Sequence, residues 1–274
     1  MKTAEIFAEY KDHLGTDLTV VNAARTSFGK ESDWETNTDG TYAGPVDRLK
    51  PADANLIRFL ATGYRSSEWD YFLDEIISEV LCAQTAGDRA YCKPALTNIL
   101  HAYKRKAQHW APFAHPKMQI RMKLPMFLAR QFVKHQVGGE WSEESRRYMS
   151  SEPEFWFPKE WHGRPEDIKQ GSDGAHPESE MWGQAAREQT KSALAFYMQA
   201  VACGIAPEEA RIVLPLNTMT TVTWTGSLLF WSRVCNQRLD NHAQKAANEL
   251  AGQIAAIAQP IFPVSWAALV GGVT

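Results

Sequence analysis

The densest run of chemically capable side chains lies between Arg130 and Tyr148, Arg-Gln-Phe-Val-Lys-His-Gln-Val-Gly-Gly-Glu-Trp-Ser-Glu-Glu-Ser-Arg-Arg-Tyr. A helix over its first part would set Gln131, Lys134 and His135 at i, i+3 and i+4, on one face. The Gly138-Gly139 pair would end such a helix and let backbone approach a ligand closely. Beyond the glycines, Glu143, Ser145, Arg146 and Arg147 mix acceptors with cations. That mixture suits a phosphate and a nucleobase, held through charge-assisted hydrogen bonds. A polar helix face followed by a salt-bridged loop accounts for the same residues equally well, so the block alone does not decide. Ser145 has no neighbouring His or Lys base in the sequence, which favours an orienting, polarising hydroxyl over a nucleophile.

The elements that must position this block are partly written in hydrophobic periodicity. Met118, Ile120, Met122 and Leu124 alternate with polar residues, the pattern of a half-buried strand. Pro125 then suits the first turn of a helix over residues 126 to about 136. Upstream, Leu18 to Ala24 reads as a short buried strand and Lys30 to Gly44 as a loop. Helices are expected from Trp69 to Gln84 and from about Pro94 to Ala107. Downstream, residues 149–178 are punctuated by Pro and Gly and read mostly as loop. Met181 to Cys203 is a long helix stopped at Gly204, and a short helix starts at Pro207. Thr218 to Thr225 is a β-branched strand, and helices follow over about 228–236 and about 240–258, the latter closed by Pro260. Helices and antiparallel-looking strands mix without βαβ alternation, which predicts an α+β fold. No GxGxxG, Walker A or HExxH motif is present.

The 274 residues carry 29 basic and 32 acidic side chains, a formal charge of −3. That balance gives no global attraction to nucleic acid or membrane, and neither partner is expected. The four cysteines, Cys82, Cys92, Cys203 and Cys235, form no CxxC pair and no metal-ligand spacing. They read as free thiols in a reducing compartment, and no metal is expected. A polar N-terminal stretch and the lack of a long apolar window predict a cytoplasmic protein, organised as one catalytic domain over residues 1–274.

The Arg130–Tyr148 block resembles the signature of flavin-dependent thymidylate synthases (the ThyX family), R-H-R-x7-S continuing as N-E-x-S-x-R-Y. Lys134-His135-Gln136 stands for Arg-His-Arg, and Ser142-Glu-Glu-Ser-Arg-Arg-Tyr148 for the tail. Pro112-Phe-Ala-His115, Ala129-Arg-Gln131, Ala24-Arg-Thr-Ser-Phe-Gly-Lys30 and Glu154-Phe-Trp-Phe-Pro-Lys-Glu-Trp161 are similar to further family segments. So are Lys169-Gln-Gly-Ser172, Ala210-Arg-Ile-Val-Leu-Pro215 and Arg238-Leu-Asp-Asn-His-Ala-Gln244. All occur in the family's order over about residues 17–250.

The resemblance implies a homotetramer with active sites at subunit interfaces. It also implies the family's reaction, in which FAD recharged by NADPH serves transfer of the methylene of methylenetetrahydrofolate to C5 of dUMP. Gln131, Glu143, Ser145, Arg147, Arg211 and Arg238 match substrate-holding positions, and Ser145, Arg238 and His109 match catalytic ones. Ser27, Lys134, His135, Gln136 and His242 match the cofactor side. That side departs most from the pattern. Both signature arginines are replaced, which removes planar bidentate recognition. One extra residue separates histidine from serine, Ala111 and Ala114 stand where the family has Thr and Glu, and Ser227 and Leu229 replace an Asn and an Arg. Two alternatives therefore stay open: hydroxymethylation of dUMP or dCMP with altered or lost flavin use, and an inactive nucleotide-binding relative.

Overall fold

The computed structural model describes residues 1–36, 47–82, 108–165, 172–240 and 243–270. Its helices are α1 (Asp17–Arg25), α2 (Pro51–Thr62), α3 (Ser66–Cys82), α4 (Met126–Phe132), α5 (Ser179–Ala202), α6 (Pro207–Ala210), α7 (Leu228–Arg238), α8 (Lys245–Ile261) and α9 (Pro263–Leu269). The main sheet holds β1 (Phe7–Leu14), β2 (Lys117–Pro125), β3 (Gly139–Glu143) and β4 (Met219–Ser227), in the order β1-β2-β4-β3, antiparallel throughout. Three two-stranded pairs accompany it among the described residues. The fold is α+β. No described helix is long and apolar enough to cross a membrane. The chain divides into two compact units, one of residues 1–14 and 117–258, the other of residues 15–116 and 259–274.

In the first unit, the alternation of β2 sends Met118, Ile120, Met122 and Leu124 into the core, each no more than 1% exposed. Its partner β4 pairs residue for residue from Met219 against Pro125 to Ser227 against Lys117. Trp224 of β4 is fully buried at the centre of an aromatic cluster. Edge-on contacts link it to Trp141 at 4.9 Å, Phe230 at 4.8 Å and Trp231 at 5.2 Å. Such pairs contribute about 0.5–1.5 kcal/mol each beyond their burial. The Trp231 indole donates to the Met118 carbonyl at 3.0 Å, which fixes α7 against the sheet.

This packing explains the glycine pair differently from the expectation. Gly139 and Gly226 face each other across β3 and β4. A Cβ on Gly139 would meet the Phe230 ring at 2.7 Å, and one on Gly226 would meet it closer still. Gly139 therefore lets an aromatic ring, not a ligand, lie against the strands. Nor do the glycines stop a helix: α4 ends at Phe132, and residues 133–134 are a turn. Gly138, at φ 92°, makes the turn into β3 instead. Consequently Lys134 and His135 lie beyond the helix and share no face of it with Gln131.

In the second unit the expected strand at Leu18 is helix α1. The Thr19 hydroxyl accepts from the Thr16 backbone N–H at 3.0 Å, Asp17 lies in the first turn, and the Val20-Val21 pair is buried. Capping and one-sided burial outweigh the β preference of the valines. Asp17 is buried and accepts from the backbone N–H of Val264 and Ser265 at the start of α9. Asp53, fully buried at the start of α2, accepts from Arg25 and from the Ser32 hydroxyl. Arg25, part of the segment resembling a family motif, is thereby tied into the core of this unit. Helix α3 begins earlier than expected, at Ser66, and Glu35–Thr36 is a short strand within the expected loop. The expected helix over Pro94–Ala107 falls outside the described residues.

Candidate active site

The first unit holds a cavity of about 1520 Å³, lined by parts of α4, α5, α7 and α8 and by the segment from Trp156 to His162. Two of the expected site residues, Gln131 and Arg238, stand in its wall. The side-chain amide oxygen of Gln131 is buried and, among the described residues, has no hydrogen-bond partner. A buried acceptor left unpaired costs about 1–3 kcal/mol, and this oxygen is free to accept from an N–H. An amide oxygen beside an arginine can read a nucleobase edge.

Arg238 ends α7. Its Nε and Nη2 reach His135 Nε2 at 3.3 and 3.1 Å, and its guanidinium lies 5.7 Å from the centre of the Phe132 ring. With a guanidinium donating to Nε2, the imidazole must be neutral, its proton on Nδ1. Burial, and then the charge of Arg238, hold the His135 pKa below the usual imidazole range. His135 thus acts as an acceptor that aims Arg238, a partnership that no spacing in the sequence revealed. Burial also lowers the Arg238 pKa, though an arginine stays charged.

The remaining expected residues fall elsewhere. Ser145 Oγ accepts from Arg147 Nε at 3.0 Å, and the guanidinium lies 5.0 Å from the Tyr148 ring centre. The serine and arginine are therefore held as one unit, with Arg147 exposed to solvent. Glu143 accepts from Thr220 Oγ1 at 3.0 Å and from Trp141 Nε1 at 3.1 Å, which fixes its carboxylate at the end of β3. Arg211 is exposed and, among the described residues, donates only locally, to the Glu208 carbonyl at 3.3 Å. None of these four is among the lining residues of the cavity. Ser27 and His109 belong to the second unit. Ser27 is exposed in a single 3-10 turn, and His109 is exposed with its ring 5.5 Å from Phe59. His242 lies outside the described residues.

On the cofactor side, Lys134 and Gln136 are exposed around one turn, with half-buried His135 between them. An ammonium and an amide can hold a phosphate as point donors, though without the grip of two bidentate forks. The Ser227 hydroxyl caps α7, accepting from Phe230 N at 3.2 Å. Of the cysteines, Cys203 is exposed, and burial pushes the Cys235 thiol up to about 12, which excludes a Cys235 thiolate at neutral pH.

The cavity lining shows what the sequence did not. Phe127, Trp156, Phe157, Trp161, His162 and Lys245 were assigned no role from spacing, although Trp156 to Trp161 belong to a segment resembling the family. Two tryptophans, one on either side of Pro158, were the available signal.

This fold is shared with a known nucleotide-modifying enzyme. A crystal structure of a UMP/dUMP methylase, PolB from Streptomyces cacaoi, bound with 5-Br dUMP, matches with a TM-score of 0.67 at 21% identity, covering 98% of this chain and 96% of that one. The chain belongs to the family described as thymidylate synthase complementing protein, whose sequence profile matches residues 11–264. Relatives named flavin-dependent thymidylate synthase include one from Streptomyces avermitilis, 27% identical over 186 residues, or 65% of this chain and 73% of the relative. Another, from Thermosipho africanus, is 30% identical over 182 residues, 65% and 78% of the two chains. A third, from Tropheryma whipplei, is 34% identical over 130 residues, 45% and 52%.

Proposed function

We propose that the chain transfers the methylene carbon of methylenetetrahydrofolate to C5 of dUMP, giving dTMP, in the manner named for its relatives. The observation that carries this reading is the cavity in which an unpaired Gln131 oxygen and the His135-aimed Arg238 stand together. Gln131 would accept from an N–H of the base. Arg238 would stabilise the negative charge that develops on the ring as C5 becomes the nucleophile that attacks the methylene carbon, and a charge held in place before the reaction is worth most in a water-poor site. The Ser145–Arg147 pair would take the phosphate, with Glu143 and Arg211 as further substrate contacts and His109 as a further catalytic group.

Because Ser145 and Arg147 are not in the wall that holds Gln131 and Arg238, the reading includes a homotetramer whose sites are completed by neighbouring copies. FAD, held by Ser27, Lys134, His135, Gln136 and His242, would supply the hydride that turns methylene into methyl, with NADPH as its reductant. Loss of the arginine forks should make FAD binding weak, because each polar contact contributes about 0.5–1.5 kcal/mol. The test is mass spectrometry of product from dUMP, methylenetetrahydrofolate, FAD and NADPH, with each omitted in turn. dTMP that forms only with all four supports the reading. Hydroxymethyl product without FAD would replace it, and unchanged dUMP throughout would refute it.

A further inference from the structure

Ser145 and Arg147 stand on a stretch, residues 144–153, that lies outside helix and strand. Within it the bonds are local. The Arg147 N–H and Nε both donate to Ser145 Oγ, at 3.4 and 3.0 Å, and the Tyr148 N–H donates to the Ser145 carbonyl at 3.2 Å. Arg146 Nη1 donates to the Ser151 carbonyl at 2.8 Å and closes the loop on itself. These bonds give the loop a shape, but they do not fix where that shape stands against the rest of the unit.

That is done from both ends. Where the chain leaves β3, the Glu144 N–H donates to the Thr221 carbonyl of β4 at 2.8 Å. Two residues past Arg147, the Met149 carbonyl accepts from the Tyr197 hydroxyl at 2.9 Å. Tyr197 belongs to α5, where Thr190, Leu194 and Tyr197 recur at spacings of four and three as the buried stripe of the helix. Its ring is fully buried, so the hydroxyl has a fixed place and needs a partner there. The loop supplies that partner from 48 residues away. The Ser145–Arg147 pair therefore sits between one anchor on the sheet and another on a long helix.

We propose that Tyr197 is a positioning residue for the Ser145–Arg147 pair, holding the loop from α5 so that both side chains are in place before a nucleotide phosphate arrives. An arginine on a loose loop binds an anion more weakly, because binding must then also offset the ordering of the loop. Tyr197 acts through the Met149 carbonyl and needs no contact with substrate. The assignment rests on the proposed function, in which this pair takes the phosphate of dUMP.

Tyr197→Phe keeps the buried ring and removes the hydroxyl. In the full-length protein, dUMP is titrated calorimetrically and amide hydrogen exchange is followed peptide by peptide. Exchange across residues 145–151 should quicken while β2 and β4 stay as in wild type. Binding of dUMP should weaken roughly three- to tenfold, the worth of one hydrogen bond. Added to Arg147→Ala, the same change should cost no further affinity, because the group it positions is gone. A hydroxyl that served stability alone would raise exchange throughout the unit and leave dUMP affinity unchanged, and either result overturns the assignment. So does an equal loss of affinity with and without Arg147. Wild type that binds no dUMP would overturn the proposed function and this assignment together, whereas wild-type binding that ignores Tyr197→Phe overturns the assignment alone.

Discussion

At the scale of single residues, the contact between Arg238 and His135 makes the strongest statement. A neutral imidazole accepts from the guanidinium, so protonation of His135 would replace an acceptor with a donor facing a fixed positive charge. The folded pKa is depressed, so the folded state binds fewer protons than the unfolded one below the ordinary imidazole pKa of about 6.5. The contact's stabilisation is therefore complete above that value and is lost as pH falls through the lowered folded pKa. Thermal unfolding of wild type should show a drop in Tm across that acid window, and His135→Gln should flatten it. An equal slope in both would show that His135 does not carry this acid sensitivity.

Arg147 lends itself to a binding test. With its Nε on Ser145 and its other nitrogens turned to solvent, it is pre-set for an anion. Arg147→Ala should weaken dUMP by about 1.5–3 kcal/mol, or more than tenfold, in a calorimetric titration. Unchanged affinity would remove the phosphate from this residue.

At the scale of elements, sequence and structure agree wherever one face is buried. The alternation in Lys117–Pro125 was legible because β2 has one side in the core, and the same holds for β4. The strand Phe7–Leu14 was illegible because it is a sheet edge with nearly every residue exposed, so no alternation was selected. Helix α1 was misread because its valines carry β preference, while the decisive signals were the small hydroxyls at Thr16 and Thr19. The end of α4 carried no Gly or Pro, so periodicity alone ran on past Phe132.

The α1–α2 contact also yields a stability prediction. Asp53 is fully buried and paired with Arg25 and Ser32. Removing one partner leaves the other polar groups uncompensated, and Asp53→Ala should cost about 3–5 kcal/mol in urea unfolding. A loss of a few tenths would show that the pair is solvent-screened. Gly139→Ala should cost about 1–3 kcal/mol, because the added methyl runs into Phe230.

At the scale of the whole molecule, the site residues separate into sets that the sequence could place in order but not in space. Gln131 and Arg238 share a cavity wall, Ser145 and Arg147 form their own pair, and Ser27 and His109 belong to the second unit. Motif order along a chain carries no information on which copies of the chain meet. If neighbouring copies complete each site, Arg147→Ala and Arg238→Ala should complement one another. Co-expressed, they should form some sites with both arginines intact, and mixed tetramers should regain part of the activity that each variant lacks. Absence of any recovery, with mixed oligomers demonstrated, would place both arginines in the same copy.

Chemistry at C5 of a uracil nucleotide can be watched directly at the bond that must break. With dUMP carrying tritium at C5, substitution there releases the label to water, whichever one-carbon product follows. Release should depend on methylenetetrahydrofolate and be lost in Arg238→Ala. If the nucleotide keeps all its tritium while dUMP is shown to bind, C5 is not where the chain reacts.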